Sequence, residues 1–282
     1  MQDRLSALLD VTRQQLDLLR LFLYVSSQGP TEYEGDQLAF SLSESKRRTV
    51  AITAMAAGQS VNTLLGMSEQ RGIPVRDMYP IARSAIESFV NAAFLAAEDD
   101  AVSKRALAYV HYAAWKYSNR TVGSGEFSLH LSSSPDPVAT ASAGFPEFAG
   151  KGQGSWTSRD VPNRIRTVGE RASRAAGSRL LAAYALIYSL SSEIIHGSVY
   201  GVSHFFQVKS SAGTDVAAFQ LAAKHQIEDI FIAVQHALAG FLSAVFTLQG
   251  HHKPMKTEEA LFARLLQLSI ADREVASDSP LH

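Results

Sequence analysis

The sequence predicts an all-α protein, a multi-helix bundle of about seven helices with a long low-complexity excursion in its middle. Three observations carry this prediction. Apolar residues recur at spacings of three and four along most of the 282 residues. No alternation of short extended runs with helical ones appears, and no internal repeat. Between residues 121 and 158 the periodicity stops and Gly, Ser, Ala and Pro crowd together with few charges.

The elements follow in order. Leu5, Leu9, Thr12, Leu16, Leu19 and Leu23 fall on one stripe of a helix over about 3–26, which "SSQGPTEYEGD" then breaks. A second helix covers about 43–70, with Arg47 and Arg48 near its start, and "RGIP" ends it. A third covers about 76–97, and Pro80 suits its first turn if it begins late. The fourth covers about 99–120, with Asp99 or Asp100 as N-cap. After the excursion, helical periodicity returns over 159–175 and 178–199, with Gly177 as the break. Residues 201–217 read as a loop or a short extended pair, followed by a long helix over 216–249, a last amphipathic helix over 257–271 and a polar tail at 273–282. The whole chain, 1–282, reads as one helical domain, with 121–158 inserted as a loop or lid.

Composition removes several chemistries. With no cysteine there is no disulfide framework, zinc-thiolate site or thiol nucleophile, which fits a cytoplasmic location. A net charge of -1 excludes an all-over basic surface, so any contact with nucleic acid has to be local. The charged N-terminus does not read as a signal peptide. "IFIAVQHALAGFLSAVFTL" is long enough for a membrane span but includes Gln235 and His236, and it reads as a buried core helix with no membrane partner.

Two mostly apolar helices each carry a polar ladder. Arg83, Glu87 and Asn91 stand at steps of four on the third, and Tyr188, Ser192 and His196 do the same in "YSLSSEIIHG". Buried polar groups need partners, so the ladders are expected to face each other or a shared cleft. Paired, they fix helix register; left apart, they line a binding pocket in which His196 keeps a ring nitrogen for acid, base or ligand work. Glu193 and His196 have Glu-x-x-His spacing, but no second such pair exists for a dimetal site, so no metal and no cofactor are expected. Ser192 with His196 lacks the exposed elbow of a serine hydrolase.

In "KRALAYVHYAAW" Arg105 stands six positions before His111. This spacing resembles the signature of HEPN domains, helical bundles that often dimerise and in many members cleave RNA without metal. The resemblance implies that Arg105 holds the scissile phosphate while His111 assists the ribose 2′-hydroxyl, a division that suits a guanidinium and an imidazole. His196 joins them as a third catalytic candidate. A second resemblance spans more of the chain. Arg83 and Glu87 on an early helix, Trp156 in a low-complexity middle, and Ser192, His196 and Gly197 later look like a bacterial group of helical proteins of unknown function, some encoded near phage-defence or mobile elements.

The segment 159–179 holds Arg159, Arg164, Arg166, Arg171, Arg174 and Arg179 against Asp160 and Glu170, and Arg164 and Arg171 are its candidate phosphate contacts. Two functions are therefore expected. One is a HEPN-like effector of bacterial defence or a toxin system, a metal-independent ribonuclease acting as a homodimer on RNA or a nucleotide. The other is a non-catalytic module that holds a small ligand or a partner protein in the polar cleft.

Overall fold

The stretch that reads as a core helix lies at the centre of the molecule. A computed structural model describes residues 4–69, 75–133, 136–149, 154–201 and 216–277. In chain order the elements are α1 (Arg4–Gln28), the hairpin of β1 (Thr31–Tyr33) and β2 (Asp36–Leu38), α2 (Glu44–Ser68), α3 (Val75–Ala97) and α4 (Asp100–Ser118). A second hairpin follows, β3 (Arg120–Ser124) and β4 (Phe127–Leu131), then α5 (Pro137–Gly144) and a 3-10 turn at Pro146–Phe148. The chain continues through α6 (Val161–Arg171), α7 (Arg174–Ile195), α8 (Val216–Gln249) and α9 (His252–Ser277). Apart from two small hairpins the fold is all-α.

α8 packs against α1, α3, α7 and α9. Its segment Gln220–Gln249 is long and apolar enough to cross a membrane, and most of that length is buried inside the bundle. Phe241 meets Phe22 edge-on at 5.3 Å and Phe89 at 5.7 Å, joining α1, α3 and α8 in one aromatic core. Gln235 is fully buried and donates to Leu8 O and Thr12 Oγ1, both at 2.8 Å, so this polar residue pins α8 to α1.

Several boundaries differ from the sequence reading. Nine α-helices of eight residues or more run through the described residues, rather than about seven. The excursion is not bare loop, since it holds β3, β4 and α5. Both hairpins use two-residue turns of low hydrophobicity: Glu34 and Gly35 at positive φ, and Gly125 at φ 56 before Glu126. Gly177 is not a helix boundary. Ser173 caps α7 by accepting from the Ala176 N–H, and Gly177 sits where α7 crosses α6 so closely that a Cβ would stand 2.6 Å from Gly169 Cα. Pro80 lies inside α3, past the first turn. α9 starts at His252 and takes in the first residues of the expected polar tail. Of the expected loop at 201–217, residues 202–215 lie outside the described residues.

Candidate functional site

The polar stripe of α3 is longer than two turns, and it is gripped by two helices. Asn91 Oδ1 accepts from Arg164 Nη1 at 2.5 Å, and Glu98 Oε2 accepts from Arg171 Nη1 at 2.7 Å. Both steps are seven residues, so α3 and α6 run parallel with one polar rung every two turns. Lower on α3, Arg83 lies 4.2 Å from the centre of the Tyr188 ring, and both Arg83 and Glu87 act electrostatically on Tyr184. α7 turns back on α6 after a two-residue link, with Gly177 against Gly169, so it runs antiparallel to α6 and to α3.

At the α7 end the seam is closed. Arg83 Nε donates to Glu87 Oε1 at 2.8 Å, and the Tyr184 and Tyr188 rings stack at 4.3 Å. Ile86, Ala183 and Ile187 fill the floor so tightly that no water fits between the helices. Burial, reinforced by the hydrogen bond with Tyr188, pushes the Tyr184 hydroxyl up to about 12. The two ladders close on each other at Arg83, Glu87 and Tyr188.

His196 does not belong to that closure. α7 ends at Ile195, and His196 is its C-cap, with an exposed side chain. Gly197 follows at φ 63, donating to Ile194 O at 3.1 Å, and Ser198 N–H donates to Glu193 O at 3.1 Å. This pair of bonds is a Schellman stop, so the His-Gly pair ends a helix. The four-residue spacing from Ser192 continues past the end of the helix and loses its meaning there. Ser192 is half-buried.

At the α6 end the excursion covers the seam. Trp156 sits against Phe94, with 6.0 Å between ring centres, and the Arg164 guanidinium lies 5.1 Å from the Trp156 ring centre. Arg164 is half-buried, and burial lowers its pKa against the opposing pull of Glu87 and Asp160. It donates to Asn91 Oδ1 and, through Nε, to Arg159 O at 2.9 Å; both acceptors are neutral. Its neighbours are paired differently. Arg159 lies 2.6 Å from Glu98 Oε1, Arg171 holds Glu98 Oε2, Arg166 approaches Glu170 at 3.8 Å, and Arg179 pairs with Glu258. Arg174 is exposed.

Glu98, which ties α3 to α6 through Arg159 and Arg171, went unmarked in the sequence. It is 4% exposed. Its signal was the run "AAEDD", where only Asp99 is the N-cap of α4 and Asp100 opens that helix. A carboxylate at the end of a buried face, just before the Asp99 cap and Asp100, is the feature that could have distinguished it.

The proposed catalytic residues stand apart from the seam. Arg105 donates to Glu147 O at 3.1 Å and Ser155 O at 3.0 Å, and lies 4.5 Å from the Phe148 ring centre, so it fastens the excursion onto α4. His111, six residues on, is rotated by roughly a third of a turn about the helix and is exposed. No described contact joins Arg105, His111 and His196. Among the described residues no cluster of three or more His, Asp or Glu side chains could hold a metal ion.

A family model described as a family of unknown function, DUF5677, matches residues 51–214, more than half of the chain. The chain belongs to the DUF5677 family. The DUF5677 match runs from within α2 past the end of α7 and so contains every seam residue: Arg83, Glu87, Asn91, Glu98, Trp156, Arg164, Arg171, Tyr184 and Tyr188. α1, α8 and α9 lie outside it. No curated protein and no solved structure matches the chain.

Proposed function

We propose that this DUF5677 protein is a non-catalytic binding module that takes a small anionic ligand at the α6 end of the seam, with the segment bearing Trp156 as cover. The observation that carries this reading is Arg164. Among the described residues this half-buried guanidinium hydrogen-bonds only neutral oxygens, with Glu87 and Asp160 acting on it through space, and an anion would supply a directly bonded partner with bidentate geometry. Trp156, Asn91 and Glu87 around it would restrict the shape and polarity of what binds. The homodimeric ribonuclease reading has less support, since Arg105 is engaged by backbone carbonyls and, among the described residues, His111 and His196 meet no common partner.

Thermal unfolding in millimolar inorganic phosphate or adenosine monophosphate tests the proposal. The expected result is a midpoint that rises with ligand concentration and a rise that Arg164→Gln abolishes. No rise with either anion, or an equal rise in Arg164→Gln, would overturn it. RNA cleavage that persists in EDTA and vanishes in His111→Ala or His196→Ala would favour the ribonuclease instead.

A further inference from the structure

The β3–β4 hairpin carries more apolar surface than a free hairpin in water should. Apart from half-buried Leu131, every residue of its two strands is exposed, and Phe127 at 91% is the most exposed large apolar side chain among the described residues. The register pairs Val122 with Leu129, Ser124 with Phe127 and Arg120 with Leu131, so these six side chains share one face. The other face is polar: Thr121 Oγ1 and His130 Nδ1 lie 2.9 Å apart, and Gly123 stands opposite Ser128. Gly123, at φ 94, lets the strands approach so closely that a Cβ there would stand 2.0 Å from Phe127 O. A two-stranded ribbon is marginal in water unless one face is packed. This one is amphipathic with its apolar face open.

We infer that a second copy of the same hairpin covers this face, about a two-fold axis through Val122 and Leu129. The charges select that occupant and its direction. Arg120 lies at the base of the apolar face, against the Tyr117 ring at 5.1 Å, and Glu126 lies in the turn at the tip. Neither has an ion-pair partner among the described residues. The five-residue strands separate base from tip by about 14 Å. An isologous antiparallel arrangement therefore sets each Glu126 over the Arg120 of the other copy, twice per interface, while a parallel one sets like charge against like. Phe127 of each copy then packs over Leu129 and Leu131 of the other. The surface lies on the excursion rather than on the seam, so the inference is independent of the ligand proposal.

Sedimentation velocity on the full chain over a range of concentrations tests it. The expected outcome is a monomer–dimer equilibrium that Phe127→Ser/Leu129→Ser shifts to monomer. Because both side chains are exposed, the variant should keep the parent's circular dichroism and unfolding midpoint. Arg120→Glu or Glu126→Arg alone should weaken dimerisation about fivefold or more, and the two together should restore it. A parent that stays monomeric at all concentrations, a dimer that survives Phe127→Ser/Leu129→Ser, or a double exchange as weak as either single one would overturn the inference.

Discussion

Arg164 and Arg179 come from one basic stretch and from adjacent helices, yet their surroundings are opposites. Arg164 lies at the rim of the seam and donates to an amide oxygen and a backbone carbonyl. Arg179 is 11% exposed, lies 4.0 Å from the Phe262 ring centre and pairs with Glu258, whose side chain is fully buried. Burial pushes the Glu258 carboxyl up to about 7 even against the pull of Arg179, and pushes His236 of the same region down to about 4. Residue type made the two arginines look alike; depth separates them, one ion-paired in the core and the other half-buried at the rim of the seam.

The sharpest way to break the comparison is to remove the core cation. Arg179→Met leaves Glu258 buried without its partner and should destabilise the protein by about 3 kcal/mol at pH 8. At pH 5 the penalty should shrink, since Glu258 is then largely protonated and the ion pair is already weak. Urea unfolding at the two pH values checks both statements, and equal penalties would show that Glu258 stays ionised throughout.

The parent's own pH profile follows from the same two groups. Glu258 has a folded value raised from 4.5 to about 7, so its contribution is full below the unfolded value and is lost as pH rises through about 7. His236 has a folded value lowered from 6.5 to about 4, so its contribution is full above the unfolded value and is lost as pH falls through about 4. The two slopes oppose each other over the interval they share. Glu258→Gln removes one of them, and stability should then rise with pH between about 4 and 6.5.

A middle case sharpens the comparison. Glu98→Gln takes the carboxylate from Arg159 and Arg171, whose side chains are 42% and 41% exposed. Water compensates much of that loss, so the expected destabilisation is about 1 kcal/mol, well below that of Arg179→Met. The smallest effect belongs to Arg164→Gln. It keeps a donor near Asn91 and should change stability by less than about 0.5 kcal/mol while removing anion-dependent stabilisation. A large loss of stability in that variant would place Arg164 with Arg179 as a structural cation.

Much of the fold was legible because helix periodicity is local. The stripe from Leu5 to Leu23 and the apolar run of α8 show their buried faces without any partner being known. The turns were legible in principle too, since Glu-Gly and Gly-Glu dipeptides suit two-residue hairpins, but long helical runs on either side drew the reading toward loop. Gly177 misled because a glycine inside a helix serves equally as a stop and as a contact point for another backbone. His196 misled for a related reason. Four-residue spacing has meaning only while the helix lasts, and Gly197 ends it.

The candidate site was half legible. Arg83, Glu87, Asn91 and Tyr188 stood out as polar groups on apolar helices, and all four lie in the seam. Glu98 did not, because an acidic residue just before Asp99 and Asp100 looks like part of the helix start. Arg164 and Arg171 stood out as candidate phosphate contacts, but their partners Asn91 and Glu98, on and at the end of α3, were not legible from the basic stretch alone.

By itself the sequence determined that the chain is helical, where most helices run, which faces are apolar, and that two of them carry polar groups needing partners. These properties depend on residues within a few turns of one another. Only the tertiary structure decided which partner each polar group meets, that α6 lies parallel and α7 antiparallel to α3, and which arginine lies deep and which at the rim. Those outcomes depend on how helices distant in the chain pack side by side, and a shift of one residue in that packing would give Asn91 and Glu98 different neighbours.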